Sequence, residues 1–421
     1  MLRNKKGFSI LVKININTFQ YVYLSIMIYF QLPKAYYNIY EKITCIHSNN
    51  NAPESCISNS LSFYLYDIKE KINKYEKEWD VYKKYTNPYE YIHTHIPYKK
   101  KCISKYKPLS RSYFKMVELV NLFGLSINQS PISTFHLAEG PGGFIEAISE
   151  VRNCKQDKYI GMTILDDVDI NVPAWKKSEK FLKDNPNIFI ETGQDSTGDI
   201  LNIDNFEYCV KKYGSSMHLI TGDGGFDFST NFNQQEHNVT KLLFAQVCFA
   251  LCMQKRDGAF ILKLFDCFTP STIDILYILS SFYKKVYITK PQTSRYANSE
   301  KYIVCKGFLF DSSIHFYQKL YDSFNTMIHT DNYINRFLTI SVSHFFINKL
   351  EEYNSIFGQQ QIENIYYTLG LIENNAKSSD KIDNIIKLNI QKCIQWCIKH
   401  NIYYNENILN EIVSTCEATS S

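Results

Sequence analysis

Between Ser133 and Phe308 the chain alternates short apolar runs with stretches of helical length, and this alternation constrains the fold more than any other feature of the 421 residues. The runs Ser133–Ala138, Lys158–Thr163, Asn187–Glu191, Met217–Asp223, Gly258–Phe265, Lys285–Thr289 and Lys301–Phe308 read as strands. Helices are expected over Gly142–Val151, Asn233–Gln254 and Pro270–Phe282. Strands alternating with helices imply an α/β chain with a doubly wound, largely parallel sheet of about seven strands. The last two strands are joined too tightly for a crossover helix, so an antiparallel edge pair is expected there.

At roughly 100–200 residues per domain, the length predicts two or three domains. We divide the chain into an accessory region 1–90, an α/β domain 91–310 and a helical region 311–421. In the first, Ser48–Ser55 reads as a polar loop and Leu61–Tyr85 as an amphipathic helix with Ile68, Ile72 and Tyr75 on one face. In the last, Ile334–Tyr353 and Ser379–His400 read as helices, and the small polar tail Thr415–Ser421 is expected to fray. No internal repeat is present.

A composition of 45% apolar and 21% charged residues excludes collagen-like, mucin-like and wholly disordered chains. The 46 basic and 42 acidic residues leave a net charge of +4, too small to indicate nucleic acid unless the charge clusters locally. The 32 Tyr accompany abundant Asn, Ile and Lys, a mixture that fits an AT-rich coding sequence better than extended stacking surfaces. Twelve scattered Cys without a CxxC point to a reducing compartment. Cys393, Cys397 and His400 share a helical face and form a zinc candidate, as Cys248 and Cys252 do more weakly. Cysteines in apolar helices usually pack instead, so no metal is expected. Ile14–Leu32 is uncharged, but Asn15, Asn17, Gln20 and Gln31 interrupt it, and its alternation suits a strand better than a span. No small-residue cleavage site follows, so an intracellular, cytoplasmic protein without a membrane partner is expected.

Four motifs carry chemistry. Phe135-His136-Leu137-Ala138-Glu139-Gly140-Pro141-Gly142-Gly143-Phe144 runs from an apolar strand through a Gly-rich turn into a helix. Such glycines let backbone approach a ligand, and the helix start presents free N–H groups, although any strand-to-helix turn can use Gly. Gly222-Asp223-Gly224-Gly225-Phe226 sets an acid just past an apolar strand, at the carboxyl edge where open α/β sheets bind ligands. Lys263 lies inside the apolar run Phe260–Phe265, a costly place unless the amine is paired, catalytic or snorkelling. The polar loop Thr293–Ser299 ends in Glu300, which opens the last strand. Upstream, Tyr98–Lys115 holds seven positive charges, three Tyr and no acid, the mixture used for single-stranded RNA. A solvated charged loop is its plainer reading.

Taken together, Ser110-Arg111-Ser112-Tyr113-Phe114-Lys115-Met116, the Gly-Pro-Gly-Gly-Phe turn, Gly222–Phe226, Leu262-Lys263-Leu264-Phe265-Asp266 and Ser299-Glu300 resemble FtsJ-like ribose 2′-O-methyltransferases. Phe268-Thr269-Pro270, Lys290-Pro291 and Thr293-Ser294-Arg295 resemble the adrift-type, cap-specific mRNA branch, as do Gly161-Met162-Thr163 and Thr197-Gly198-Asp199-Ile200. The resemblance spans about Ser110–Phe308. It implies a Rossmann-like methyltransferase sheet, S-adenosyl-L-methionine as methyl donor, no metal, and a catalytic tetrad of Lys115, Asp223, Lys263 and Glu300. It also implies that Glu139, Gly140, Pro141, Gly142, Gly143, Phe144, Asp199 and Ile200 hold the cofactor, and that Arg111, Ser112, Tyr113, Phe114, Asn233, Gln234, Gln235 and Asn298 lie near substrate RNA. Large cytoplasmic DNA viruses encode FtsJ-like proteins of this size.

A ribose hydroxyl is a poor nucleophile, so it must be aligned and relieved of its proton. Lys263 would act as the base or as the group orienting the hydroxyl. As a base it must be neutral, from an ordinary pKa of about 10.4; burial and Lys115 favour this, and Asp223 and Glu300 oppose it. Simpler FtsJ proteins end the second strand with an acid for the cofactor ribose; here Gly161-Met162-Thr163 stands instead, and Asp166, Asp167 or Glu139 is the substitute. The expected substrate is capped mRNA, methylated on its first transcribed nucleotide, with other capping enzymes as partners. Ribosomal or transfer RNA is the alternative, and a catalytically silent RNA-binding or capping scaffold the second. DNA is not expected, because no (D/N)PP(Y/F) motif follows the fourth strand.

Overall fold

The computed structural model describes residues 28–36, 38–48, 51–125, 130–166, 174–225, 232–374 and 379–408. The Ile14–Asn17 alternation, part of the Ser48–Ser55 loop, Asp167, Phe226 and the Thr415–Ser421 tail lie outside them. In chain order the first elements are β1 (Tyr29–Gln31), β2 (Ile43–His47), α1 (Asn59–Ile72), α2 (Glu76–Tyr85) and α3 (Ser112–Phe123). The α/β alternation follows as β3 (Ser133–Leu137), α4 (Gly143–Arg152), β4 (Lys158–Met162), α5 (Glu179–Asp184), β5 (Ile188–Glu191), α6 (Ile203–Tyr213), β6 (Met217–Gly222), α7 (Gln235–Met253), β7 (Gln254–Leu264), α8 (Pro270–Phe282), β8 (Tyr283–Thr289) and β9 (Lys301–Phe308). Last come α9 (Tyr317–Ile328), β10 (Ile334–Leu338), α10 (His344–Glu373) and α11 (Ser379–Lys399).

Eight strands form one sheet in the order β1-β8-β9-β7-β6-β3-β4-β5. The expected strands are all present, and the eighth is β1, which pairs antiparallel with β8. Strands β5, β4, β3, β6 and β7 are mutually parallel, and β9 inserts antiparallel between β7 and β8. The tight β8–β9 connection is antiparallel as expected. The pair is not at the edge, however, because β1 covers β8.

Alternate strand residues feed two cores. Phe135, Ile220, Phe260, Leu262 and Ile303 pack with α6, α7, α8 and α9 on one face. Leu219, Ile261, Tyr302 and Val304 pack with α3, α4 and α11 on the other. Each large apolar side chain so buried contributes roughly 1.5–3 kcal/mol, and truncating Phe260 to Ala costs about 3–5 kcal/mol.

Two expectations need correction. The single helix over Leu61–Tyr85 is interrupted by a 3₁₀ turn at Asn73–Tyr75, where Asn competes with the helical backbone. The helix expected over Ile334–Tyr353 begins only at His344, capped by Ser343, whose side chain accepts from the Phe346 N–H. Ile334–Leu338 is instead a strand, drawn into pairing with β2. The buried Asp274 carboxylate anchors this strand by accepting from the Phe337 and Leu338 N–H groups and from Arg336. Helices α1 and α2 pack on α10 through Ile68, Ile72, Trp79, Ile365 and Leu369. Among the described residues no helix is long and apolar enough to cross a membrane.

Candidate active site

Strand order reverses between β3 and β6, which makes the carboxyl ends of these strands the switch point of the sheet. Leu137 is in register with Gly222, and the Asp223 N–H donates to the Leu137 carbonyl at 3.2 Å, so the two glycine-rich turns lie side by side. Next to them β7 carries Lys263, in register with Tyr302 of β9. Because β9 runs against β7, its first residues meet the last residues of β7, and Glu300 arrives at the same edge. Helix α3 supplies Lys115 from below.

The four side chains expected to act together converge here. Lys115 Nζ lies 2.5 Å from Glu300 Oε1, and both are buried. Lys263 Nζ donates to the Asp223 carbonyl at 2.6 Å and lies 3.3 Å from Asp223 Oδ1. Tyr302 donates to Asp223 Oδ1 at 3.2 Å, and Ser294 donates to Glu300 Oε1 at 3.1 Å. Burial opposes charge on Glu300, yet Lys115, Lys263 and Arg111 hold its carboxyl well below the usual range. Burial pulls Lys115 down, and Glu300 acts against that pull. The second glycine of the Gly224-Gly225 pair has a steric reason: a Cβ on Gly225 would sit 3.2 Å from Lys263 Nζ.

The Glu139–Phe144 turn departs from expectation in detail. Glu139 is buried, and its Oε1 accepts from the Phe144 N–H at 2.5 Å, so the acid itself satisfies one donor of the α4 start. Glu139 Oε2 is buried and has no hydrogen-bond partner among the described residues. Burial and then the nearby Asp223 push this carboxyl well above its ordinary range. Gly143 is consumed by packing, because a Cβ there would lie 2.2 Å from Ser110 Oγ and 2.4 Å from Ser112 Oγ. Gly140 faces the Ala174 carbonyl in the same way, and Gly142 needs its φ of 104° beside the Trp175 ring. Pro141 holds its carbonyl toward Ser178, which donates to it. Phe144 is fully buried against Tyr302, so only its backbone borders the turn.

Asp199 sits beside the end of β4: Leu165 N–H donates to the Thr197 carbonyl, and Gly198 abuts the Thr163 carbonyl. Asp199 Oδ1 accepts from the Leu201 N–H at 2.8 Å, while Ile200 is buried in the core. Of the substrate candidates, Tyr113 and Phe114 are only 1% and 0% exposed, so their rings are core rather than open stacking surfaces. Tyr113 donates to Glu150 and Tyr106 to Glu146, so these rings tie α3 and the segment before it to α4. Ser112 is buried with Ser110 2.5 Å away. Arg111 remains at the mouth, within electrostatic reach of Glu300, Glu90 and Arg295, and burial and then Arg295 lower its pKa. Asn298 Oδ1 is held by Lys290 at 3.0 Å, and Gln235 Oε1 accepts from Ser299 at 2.9 Å. Asn233 and the exposed Gln234 lie on the same approach to α7.

Several residues of the site were not singled out from the sequence. Gln246 of α7 accepts from the Gly224 N–H at 3.1 Å and fixes the turn behind Asp223. Glu118 of α3 accepts from the Gln292 and Thr293 N–H groups, each at 2.8 Å. Glu90 grips Arg295 through two bonds at 2.6 and 2.9 Å; burial alone would raise its carboxyl, but Arg295 brings it down to about 2. Their only signal is a polar residue inside an apolar pattern, and their partners lie far away in sequence. The zinc candidates pack: Cys393 donates to the Pro88 carbonyl and His400 Nδ1 meets Asn121 Nδ2 at 2.9 Å. Among the described residues no three His, Cys, Asp or Glu side chains are grouped to hold a metal ion.

Comparison with known proteins bears on this edge of the sheet. Residues 108–308 match the FtsJ-like methyltransferase family. The FtsJ-like segment contains all four convergent side chains. The chain is 35% identical to the cap-specific mRNA (nucleoside-2′-O-)-methyltransferase 1 of Caenorhabditis elegans over 175 residues, 40% of this chain and 18% of that protein. A weaker likeness of 26% over 375 residues covers 86% of this chain and 47% of the cap-specific mRNA (nucleoside-2′-O-)-methyltransferase 2 of Pongo abelii. The inactive cap-specific mRNA (nucleoside-2′-O-)-methyltransferase 1B of Caenorhabditis briggsae is 33% identical over 175 residues, 40% of this chain and 20% of that protein. The chain spans less than half the length of these relatives.

Proposed function

We propose that the protein is an S-adenosylmethionine-dependent RNA ribose 2′-O-methyltransferase that acts on the first transcribed nucleotide beside an mRNA cap. The observation that carries this reading is the convergence of Lys115, Asp223, Lys263 and Glu300 at the switch-point edge, joined as two ion pairs. A binding scaffold has no need for two adjacent ion pairs, one buried and one half-buried, at a ligand edge.

The residues present fit the cofactor. Glu139 Oε2 is an orphaned buried oxygen beside the turn, suited to the ammonium of a methionine moiety. Asp199, beside Thr163 at the end of β4, is suited to the adenosine end. When bound, S-adenosylmethionine supplies a sulfonium methyl group, and no metal is required for its neutral thioether to leave.

The chain's own residues do the rest. Asp223 takes up two of the three bonding directions of Lys263 Nζ and leaves one for the ribose 2′-hydroxyl. Lys263 thereby orients the hydroxyl and receives its proton or disperses the charge that develops on it. Glu300 and Lys115 balance one another and keep that charge from being set by an unpaired neighbour. Arg111 at the mouth and the exposed Lys100, Lys101, Lys105 and Lys107, with the fully exposed Tyr98, provide phosphate and stacking contacts for the RNA strand.

The test is methyl transfer from labelled S-adenosylmethionine to matched capped and uncapped short RNAs, with the product mapped by nuclease digestion. We expect label on the 2′-oxygen of the first nucleotide of the capped RNA only. Equal rates on both RNAs would sink the cap assignment, and full activity in Lys263→Ala would sink the mechanism.

A further inference from the structure

Glu300 is presented by a short peptide, and buried lysine side chains hold that peptide's carbonyls. Lys290 Nζ donates to the Asn298 carbonyl at 2.5 Å and to the Glu300 carbonyl at 3.0 Å. Lys301 Nζ donates to the Ser299 carbonyl at 2.8 Å. Both lysines are buried, and burial, followed by the charge of Lys301, drives Lys290 well below its ordinary range. Behind them stands the buried Asp266, with Oδ1 4.0 Å from Lys301 Nζ and Oδ2 2.8 Å from Lys69 Nζ. Lys69 belongs to α1, outside the FtsJ-like segment, and it too is only 5% exposed.

We propose that Lys69 is a positioning residue for Glu300, acting through Asp266 and Lys301; this rests on the methyltransferase reading above. The physical argument is a competition for one ammonium. A buried carboxylate must be paired, and Lys69 supplies the close partner of Asp266. Lys301 can therefore stand off at 4.0 Å from Asp266 and spend its hydrogen bond on the Ser299 carbonyl. Without Lys69, Lys301 is the nearest remaining cation bridged to Asp266, and it is drawn away from Ser299. The Ser299 carbonyl then loses its donor, the peptide is held by Lys290 alone, and the registration of Glu300 with Lys115 loosens. The N-terminal helix thus contributes to the chemistry without touching substrate or cofactor.

The experiment compares the full chain with Lys69→Met, Lys69→Arg, and the double variant Lys69→Met/Asp266→Asn. Two readouts are taken: kcat and KM for capped RNA, and hydrogen exchange of the segment 292–303 with 158–162 as an internal reference. In Lys69→Met, kcat is expected to fall by about 10²-fold with KM nearly unchanged, the size of a misplacement of about 1 Å. Exchange rises in 292–303 and not in 158–162. The double variant regains much of kcat because the neutral amide that replaces the Asp266 carboxylate no longer competes for Lys301, and Lys69→Arg retains most of it. An unchanged kcat in Lys69→Met, equal acceleration of exchange in both segments, or a double variant as impaired as Lys69→Met would overturn the proposal. Should Lys69→Met fail to fold, the double variant and Lys69→Arg still decide it through 292–303 exchange. A wild-type protein that transfers no methyl group would defeat the methyltransferase reading, while the exchange comparison would still judge Lys69.

Discussion

Lys115 Nζ and Glu300 Oε1 lie 2.5 Å apart, with their side chains only 7% and 10% exposed. Breaking such a pair from one side leaves a buried charge unmatched, at a cost of about 3–5 kcal/mol. Glu300→Gln is therefore expected to be both unstable and inactive. The double variant Lys115→Met/Glu300→Gln should recover most of the stability and none of the activity. Urea unfolding and methyl transfer measured in parallel check this; a double variant no more stable than Glu300→Gln would contradict it.

Gly225→Ala should separate stability from catalysis. The added Cβ meets the far end of a flexible side chain, Lys263 Nζ, at 3.2 Å. The amine can shift by a few tenths of an ångström at little energetic cost, but its bond to the Asp223 carbonyl then lengthens and its aim changes. We expect kcat to fall at least about tenfold, with unfolding changed by less than about 1 kcal/mol. A variant of normal kcat would show that Lys263 needs no such space.

Three buried histidines predict acid sensitivity. Burial lowers the pKa of His136 to about 3, of His93 to about 3 and of His400 to about 4. All three are neutral in the fold, whereas in the unfolded chain they take up protons below about pH 6.5. Their folded values are depressed, so the stability they confer is complete above pH 6.5 and is lost as pH falls toward 3–4. Each contributes a slope of up to about 1.4 kcal/mol per pH unit in that window. Glu90, with its carboxyl near 2, adds a loss in the same direction below its unfolded value of about 4.3. Urea midpoints at pH 7.5 and 5 should differ clearly; a flat profile would mean that the imidazoles are not held neutral.

Charge removal at the Lys99–Lys107 surface should act on RNA affinity alone. Replacing Lys100, Lys101 and Lys105 by Ala removes three exposed charges that lie outside the tetrad. With about 0.7 counterions released per phosphate contact on a single strand, the slope of log K against log salt should shrink by about 2. Unchanged slopes would relocate the RNA path.

Much of this architecture was legible because buried parallel strands are written as apolar runs, and Ser133–Phe308 has one for every strand from β3 to β9. Asp223, Lys263 and Glu300 were legible too, since each ends or abuts such a run, whereas Lys115, in α3, was implied only by the resemblance. Helix α3 was hidden because its first residues also close a basic stretch, and nothing in that stretch marks Tyr113 and Phe114 as core. Ile334–Leu338 carries no period that separates a strand from a helix; its partner β2 decides, nearly three hundred residues away. Pairs such as Lys69 and Asp266, separated by 197 positions, leave no local trace at all.

The same long-range pairs set a limit on dissection. Within residues 108–308, Asp266, Asp274 and Arg295 each find their closest charged partner beyond that stretch, in Lys69, Arg336 and Glu90. A fragment cut at the family boundaries would carry Asp274 without its arginine, Asp266 with only the more distant Lys301, and a guanidinium without its carboxylate into its own interior. The segment matched by the family is thus shorter than the segment that can be expressed as a stable, working unit.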